Sequence, residues 1–274
     1  MIEREGDQCV YLLYEHLSGV AGLHHGVFTR KGGHSAPPFD GLNVATTTGD
    51  DPATALRNQA VVSRAMELPL VSTRIVHGAT TCVVERAGRD EPIEHLRARL
   101  RQIPADAMLT DEPGLGLFWG FGDCAPIMLY DPRHHAVALA HGGWRGAAGG
   151  IGPRTLAAMA ERYGTRPGDV LAGVGPGIRA CCYRVDERVR QAFAEEPLAS
   201  ESAVFEERAD ADGAPALYLD VTASNAGQLL AAGVRPEHLE VAEMCTGCTP
   251  DLFYSHRMRP HADGRFAAVI GLAG

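Results

Sequence analysis

The sequence predicts a mixed α/β (α+β) fold, with mixed β-sheets flanked by helices in one domain spanning residues 1–274. Three observations lead to this prediction. Short apolar segments typical of strands alternate with segments that carry helix signals. The chain shows neither a fixed-period repeat nor a convincing linker, and its 274 residues suit one large domain. Hydrophobic residues make up 45% of the chain and charged residues 22%, which is ordinary globular usage.

The first helix has the clearest sequence signals. Residues 9–14 and 20–29 have the apolar pattern of short strands. Asp51 is a good N-cap residue and Pro52 suits the first helical position, so a helix is expected from there to about Met66.

The next segments predict a pair of strands and a solvated region. Residues 72–77 and 80–85 are predicted as strands that flank Gly78-Ala79 in a hairpin or a bulged bend. His77 would then lie at a strand end. The charged segment 86–104 is predicted as a solvated helix or loop.

Closely spaced apolar segments after residue 106 predict a central sheet, because Gly, Pro and Asp separate them at strand-like intervals. A glycine-rich turn should follow residue 143, and residues 206–215 should form a loop or surface insertion. The predicted central strands are 107–110, 114–119, 127–130 and 136–141; later strands are 170–174, 216–219, 239–244 and 266–272; later helices are 153–163, 186–195 and 222–232.

Composition excludes several function classes. The formal net charge of −9 argues against general nucleic-acid binding, which needs a basic face. No apolar run approaches the roughly 20 residues that cross a bilayer, and the N-terminal residues lack a secretory signal pattern, so a cytoplasmic protein without a membrane partner is expected. Lys31 is the one lysine, so Schiff-base catalysis has a single candidate, whereas arginines suited to phosphate or carboxylate groups are plentiful. The oligomeric state stays open.

The seven cysteines lack the regular spacing of a disulfide framework, so reduced thiols are expected. Cys245 and Cys248 have CxxC spacing, but no second such pair occurs, and a complete four-cysteine zinc site is not indicated. Cys181-Cys182 is a candidate neighbour of this pair. Reduced structural cysteines are the favoured interpretation.

His77, Cys124 and His141 each follow or end an apolar strand-like segment. Zinc prefers histidine nitrogen and cysteine thiolate, and catalytic zinc sites usually have three protein ligands and one open position. Spacing alone does not establish the site, because hydrogen-bonded histidines and buried cysteines with purely structural roles are commoner.

Other polar residues are candidates for substrate binding or catalysis. Asp123 could orient a ligand, hold water or act as general acid/base, or it could cap a turn. Arg145, with the Gly149 and Gly150 amides, could bind phosphate, or its glycine-rich segment could be a tight turn. Asn43 could bind a base or ribose, although an Asx turn is commoner.

Several motifs resemble the YfiH family, whose older names are laccase-domain protein and polyphenol oxidase. The likeness spans roughly residues 22–270 in the family's order. The motifs are Thr29-Arg30-Lys31-Gly32-Gly33-His34-Ser35, Gly41-Leu42-Asn43, Gly49-Asp50-Asp51, Asn58, Val76-His77-Gly78, Asp106-Ala107-Met108-Leu109-Thr110, Gly122-Asp123-Cys124-Ala125-Pro126, Ala140-His141-Gly142-Gly143-Trp144-Arg145-Gly146, Gly175-Pro176-Gly177-Ile178-Arg179-Ala180-Cys181-Cys182-Tyr183, Cys245-Thr246-Gly247-Cys248 and Gly264-Arg265.

The resemblance implies a zinc ion on His77, Cys124 and His141, in a fold shared distantly with cysteine-dependent hydrolases. It also implies phosphorolysis of adenosine, inosine and methylthioadenosine, with accompanying adenosine deamination. The partners would then be a small nucleoside and phosphate. Arg145 is the first candidate for the phosphate contact, and Arg30 and Arg179 are the next candidates. The chain departs from the family at His256-Arg257, where a Tyr-Arg pair is frequent, and at Gly142, where alanine is usual.

Two other enzyme classes are alternatives, and the first of them uses the same residues. In a cysteine hydrolase or amidase, Cys124 would be the nucleophile and His141 or His77 the base. A copper-dependent polyphenol oxidase would need many histidines, commonly as His-x-His, and this pattern is absent from the sequence. Zinc is therefore favoured over copper. A module that binds a partner or senses redox state through its cysteines is the non-enzymatic alternative.

Overall fold

Two six-stranded sheets dominate the fold. The computed structural model describes residues 1–88, 90–210, 212–260 and 264–274. In spatial order the first sheet contains β1 (Ile2–Gly6), β2 (Cys9–Leu13), β3 (Leu23–Gly32), β15 (Phe266–Leu272), β7 (Leu115–Phe121) and β4 (Leu70–Val71). The second contains β14 (Leu239–Val241), β10 (Leu171–Val174), β8 (Ala125–Asp131), β9 (Ala136–Gly142), β6 (Ala107–Thr110) and β5 (Thr81–Val83).

Both large sheets combine parallel and antiparallel pairs. The parallel pairs are β4 with β7, β5 with β6, and β10 with β14. A small antiparallel sheet contains β11 (Arg184–Val185), β13 (Pro215–Leu219) and β12 (Phe205–Ala209) in that order.

The helices are short and lie between the strands in the chain. They are α1 (Glu15–Ser18), α2 (Pro52–Met66), α3 (Ile93–Leu100), α4 (Trp144–Ala148), α5 (Ile151–Tyr163), α6 (Glu187–Ala194), α7 (Pro197–Ser202) and α8 (Val221–Ala231). Single 3₁₀ turns occur at Pro167–Asp169 and Pro236–His238.

The large sheets pack face to face and share one hydrophobic core. Strand β9 illustrates this packing, because its side chains alternate between two buried faces of the second sheet. Val137 and Leu139 pack between the sheets, whereas Ala136, Ala138 and Ala140 contribute to the core that includes α5 and α8. Burial on both faces explains why the segment is continuously apolar.

Helix α2 covers the outer face of the first sheet. Its Val61, Val62 and Met66 pack against residues such as Phe28 and Val269. The molecule is therefore layered as helix, sheet, sheet and helices, and the predicted mixed α/β class is confirmed.

The predicted bounds of α2 are confirmed. The Asp51 carboxylate accepts hydrogen bonds from the backbone amides of Ala53 and Thr54, and Pro52 occupies the first helical position. The cap satisfies amides that have no partner inside the helix.

Several sequence predictions of local structure were wrong. Residues 72–77 form no strand, and β4 and β5 lie in different sheets, so the predicted hairpin does not exist. The proposed central sheet is divided, because β7 pairs with β15 and β4 in the first sheet. Helix α4 occupies much of the predicted glycine-rich turn, and β12 occupies part of the predicted 206–215 loop.

Within the described part of the chain, no helix is both long and apolar enough to span a membrane. The cytoplasmic location and the single-domain organisation stay predictions.

The core between the sheets should dominate stability. Replacing fully buried Leu139 with alanine should lower the free energy of unfolding by about 2–5 kcal/mol, because the cavity cannot close between two sheets. Replacing Leu56, which is 50% exposed on α2, should change it by about 0.5 kcal/mol or less. Urea unfolding of both variants measures the difference, and equal losses would contradict this assignment of the core.

Candidate active site

One cavity of about 870 Å³ collects His77, Cys124 and His141, together with Asp123 and Arg145. Its volume suits a nucleoside-sized ligand. The other lining side chains come from the 44–48, 72–75 and 256–257 segments and from scattered positions, including Arg101, Phe118, Trp119, Trp144, Ile178, Tyr183, Val221 and Arg265.

His77 lies in a turn and not at the end of a strand. Its φ of 58° is in the left-handed region, which is uncommon for a non-glycine residue. The buried Asp106 carboxylate stabilises this turn by accepting hydrogen bonds from the amides of Val76 at 3.1 Å and Thr80 at 3.4 Å. This turn directs His77 to the cavity.

His141 belongs to strand β9, as predicted, and is positioned by the same aspartate. The His141 amide donates to the Asp106 carbonyl at 2.8 Å. Its ring makes an edge contact with the His77 ring, with centroids 5.1 Å apart, and lies 5.5 Å from the Phe121 ring. Asp106 thus fixes the backbone of both histidines, a role that sequence analysis missed although Asp106 begins one of the quoted motifs.

Cys124 immediately precedes β8, beside the segment that follows β9. A Cβ atom at Gly143 would lie 2.8 Å from Cys124 Sγ and 3.5 Å from His141 Cε1. Glycine at this position therefore lets the chain pass close to both side chains.

Burial determines the charge states of these three residues. It lowers the pKa of His141 to about 3 and also lowers the pKa of His77, so both imidazoles are neutral at pH 7. Burial, reinforced by the negative charge of Asp123, raises the pKa of Cys124 to about 12. The positive charge of Arg265 favours the unprotonated form of all three.

The donor atoms fit zinc in chemistry, since two neutral imidazoles and a thiol face one cavity with room for a further ligand. Their donor atoms do not all lie within 4.8 Å of one another in this structure. In the described part of the chain, four other cysteines form a group whose sulfur atoms all lie within 4.8 Å of one another.

Asp123 cross-links the loops of the cavity wall. Its carboxylate accepts hydrogen bonds from the Thr246 hydroxyl at 2.7 Å and the Arg257 amide at 2.6 Å. Its carbonyl accepts from the Ile178 amide at 2.7 Å. Its φ is 76°, so the residue also forms a left-handed turn beside Cys124.

Arg145 is on α4 at the rim of the cavity, where its guanidinium lies 4.3 Å from the centroid of the Trp144 ring. The amides of Gly149 and Gly150, which were predicted to assist it, donate instead to the carbonyls of Arg145 and Ala147. Any phosphate contact here would therefore use the side chain.

Sequence reasoning did not single out Arg74, Arg101, Arg257, Arg265 or Tyr183 as lining residues. The Arg257 guanidinium lies 4.6 Å from the centroid of the Tyr183 ring, between two segments far apart in the chain. The Gly264-Arg265 motif and the His256-Arg257 pair, which departs from the family, were the available signals for two of these arginines.

Three predicted substrate residues lie outside the cavity lining. The buried Arg30 pairs with Asp40 at 3.0 Å and stacks on Tyr254. Arg179 pairs with Asp220 at 2.8 Å. Substrate contacts by Arg30 and Arg179 stay predictions.

The third of these residues, Asn43, is fully buried. Its side-chain oxygen accepts from the amides of Ala45 at 3.1 Å and Arg265 at 2.8 Å, and its amide donates to Asp50 at 2.8 Å. It therefore positions two segments that line the cavity, and direct binding of substrate by Asn43 stays a prediction.

Four further cysteines, close to the cavity wall, form one cluster. The sulfur atoms of Cys181, Cys182, Cys245 and Cys248 all lie within 4.8 Å of one another. The sequence did not indicate a complete four-cysteine set, because CxxC spacing occurs once. The structure places the candidate neighbour Cys181-Cys182 beside Cys245 and Cys248 and so brings four sulfurs together.

Comparisons with known proteins identify the family. The family model described as "Multi-copper polyphenol oxidoreductase laccase" matches residues 24–273. Purine nucleoside phosphorylase YlmD of Geobacillus stearothermophilus is 36% identical over 254 residues, which cover 92% of this chain and 90% of that protein. The chain belongs to this laccase-like family, which includes YfiH and YlmD.

Solved structures show the same fold. The crystal structure of YlmD from Geobacillus stearothermophilus has a TM-score of 0.85 at 33% identity and covers 99% of this chain and 98% of that one. The crystal structure of the Bacillus licheniformis hypothetical protein YfiH has a TM-score of 0.85 at 29% identity, with 98% of both chains covered.

Asp123 should be needed for stability. Asp123→Ala removes two charge-assisted hydrogen bonds and places alanine at a left-handed φ, so a loss of about 2–4 kcal/mol in the free energy of unfolding is expected. Asp123→Asn should lose about 1 kcal/mol, since asparagine tolerates this φ and can accept from Arg257 while donating to the Thr246 hydroxyl. Denaturant unfolding of the pair measures both values. Equal stability of the alanine variant and wild type would contradict the cross-linking role.

Proposed function

We propose that this chain is a zinc-dependent purine nucleoside phosphorylase that acts on adenosine, inosine and methylthioadenosine, with adenosine deaminase side activity. Its full-length relative from Geobacillus stearothermophilus carries the name purine nucleoside phosphorylase. The cavity has the volume for a nucleoside, and the sequence motifs that predicted this activity provide much of its lining.

The observation that carries the proposal is the charge of the cavity. Five of the described lining residues are arginines, whereas Asp123 is the acidic one, and its carboxylate already accepts two hydrogen bonds. The chain as a whole has a formal net charge of −9. Concentrated positive charge in an acidic protein supports an anionic co-substrate such as phosphate. The five are Arg74, Arg101, Arg145, Arg257 and Arg265.

In phosphorolysis a phosphate oxygen forms a bond to ribose C1′ while the bond from C1′ to the purine nitrogen breaks. The purine leaves with the electron pair of that bond and takes up a proton. Arg145 would bind the phosphate, because a guanidinium matches two phosphate oxygens. Arg257 and Arg265 would offset the negative charge that develops on the departing purine.

His77, Cys124 and His141 are the residues proposed to hold zinc. A zinc ion bound there would supply Lewis-acid chemistry and make water more acidic, which suits the deaminase side activity. The chain's own contribution is to orient the two imidazoles through Asp106 and to keep the thiol close to them through the glycine at position 143.

Asp123 would act in this proposal as a positioning residue and not as an acid or base. Both of its carboxylate oxygens accept hydrogen bonds from the protein. These bonds join the loops that shape the nucleoside pocket. A general base would instead need a carboxylate oxygen directed at the substrate or at water.

Arg145→Ala should weaken the apparent affinity for phosphate by about tenfold or more, because a charge-assisted hydrogen bond contributes about 1.5–3 kcal/mol. Adenosine deamination uses water instead of phosphate and should be retained to a greater extent. Phosphate titrations with adenosine, analysed for adenine and inosine, provide the measurement. Arg162→Ala is the matched control, since Arg162 stacks on Tyr163 outside the cavity lining. Unchanged phosphate dependence would remove Arg145 from the phosphate site.

Single alanine substitutions of His77, Cys124 and His141 should each abolish turnover and release about one equivalent of zinc per chain, while circular dichroism stays close to wild type. Metal content and nucleoside turnover are measured on the same preparations. Turnover with undiminished zinc in Cys124→Ala would contradict the zinc site. A metal-free enzyme that depends on Cys124 would instead indicate a cysteine hydrolase, and copper bound at these residues would support the oxidase alternative.

A further inference from the structure

The four-cysteine cluster lies outside the proposed catalytic residues. Sγ of Cys248 is 3.3 Å from Sγ of Cys181 and 3.4 Å from Sγ of Cys182. In a tetrahedral zinc–thiolate site, bonds of about 2.3 Å place the sulfurs about 3.8 Å apart. The four sulfurs, all within 4.8 Å of one another, therefore already have nearly the spacing of that tetrahedron.

Two tight turns present these sulfurs. In one, the amides of Cys248 and Thr249 both donate to the Cys245 carbonyl at 3.1 Å. In the other, the amide of Cys182 donates to the Arg179 carbonyl at 2.9 Å. A Cβ atom at Gly247 would lie 2.9 Å from Cys182 Sγ, so glycine there allows the two turns to approach each other.

An amide donor and a guanidinium lie beside the cluster. The Arg179 amide donates to Cys245 Sγ at 3.4 Å. The Arg208 guanidinium donates to the carbonyls of Ala180 at 2.8 Å and Cys181 at 3.1 Å, which places a positive charge beside the cluster. Hydrogen bonds and charges of this kind commonly orient and balance metal–thiolate sites.

We propose that Cys181, Cys182, Cys245 and Cys248 bind one structural zinc ion through four thiolates. Binding releases four thiol protons and changes no oxidation state. Four protein ligands leave no open position, which distinguishes this site from a catalytic one. The spacing of the sulfurs suits one ion, whereas an iron–sulfur cluster would spread its cysteines around several metal atoms.

The ion would cross-link two loops that form a wall of the cavity. Ile178 and Tyr183, on either side of Cys181-Cys182, line the cavity. Thr246, inside the second turn, donates its hydroxyl to Asp123. The bound metal would thus stabilise the cavity shape without contacting a ligand in it.

The first test removes the two exposed sulfurs. Cys181→Ser/Cys248→Ser should lose about one equivalent of zinc relative to wild type and unfold at a lower temperature. Cys82→Ser, a partly exposed cysteine outside the cluster, is the matched control and should keep the wild-type zinc content. Elemental analysis after expression and purification without chelator provides the measurement. Equal zinc content in the double variant and wild type, or iron in place of zinc, would overturn the proposal.

A second test uses the wild-type chain and does not depend on folding of a variant. Cys181 and Cys248 are exposed, yet zinc should protect them from iodoacetamide until a chelator is added. Peptide mass mapping measures alkylation at each cysteine. Rapid alkylation of both residues at the same rate with and without chelator would overturn the proposal, as would a disulfide between them in the untreated protein.

A cobalt-substituted Cys124→Ala variant separates this site from the proposed catalytic one. Thiolate-to-cobalt charge-transfer absorption should persist in that variant and disappear when Cys181 and Cys248 are also replaced with serine. Absence of this absorption in cobalt-loaded Cys124→Ala would overturn the four-thiolate site. Persistence would support it whether or not the chain proves to be a phosphorylase.

Discussion

Burial of the central strands on both faces is the constraint on which the rest of the structure depends. In β9 the small side chains Ala136, Ala138 and Ala140 contribute to the helix-side core, whereas Val137 and Leu139 fill the space between the sheets. A polar side chain at any of these five positions would carry a large desolvation cost. Polar side chains that face the cavity are therefore placed at strand ends and in the loops beyond them.

Asp106 shows how such an end is organised. It is fully buried just before β6, and its hydrogen bonds reach both the turn that carries His77 and the strand that carries His141. One buried carboxylate therefore satisfies amides in a loop that has no regular secondary structure of its own. The left-handed backbone of His77 persists because the surrounding hydrogen bonds outweigh its local conformational cost.

Local signals predicted local structure well. Asp51 and Pro52 predicted the start of α2, and the apolar run at 136–141 predicted nearly all of β9. They failed where pairing is long-range: nothing near residues 114–121 shows that β7 pairs with β15 and not with β8. The 72–77 segment has strand-like composition, but tertiary hydrogen bonds to Asp106 place its end in a turn.

The candidate site was predictable to a similar extent. Residue chemistry and motif resemblance selected His77, Cys124, His141, Asp123 and Arg145, and the structure brings them to one cavity. Arginines such as Arg74 and Arg101 were not distinguishable from other arginines, because their positions depend on how distant loops pack. Cys181-Cys182 was a candidate neighbour of Cys245 and Cys248, but the four-sulfur geometry was not predictable for the same reason, since the two pairs are more than 60 residues apart.

Strand β15 has a consequence for the order of folding during synthesis. It lies between β3 and β7 in the first sheet, although it is the last of the strands in the described part of the chain. While residues 266–272 are still untranslated, β3 and β7 lack the strand that joins them. The inner face of the second sheet is then not covered by Phe266, Ala268 and Ile270 of that strand. The nascent chain must therefore carry unpaired strand edges and exposed apolar surface, the features that chaperones recognise, until this strand emerges from the ribosome.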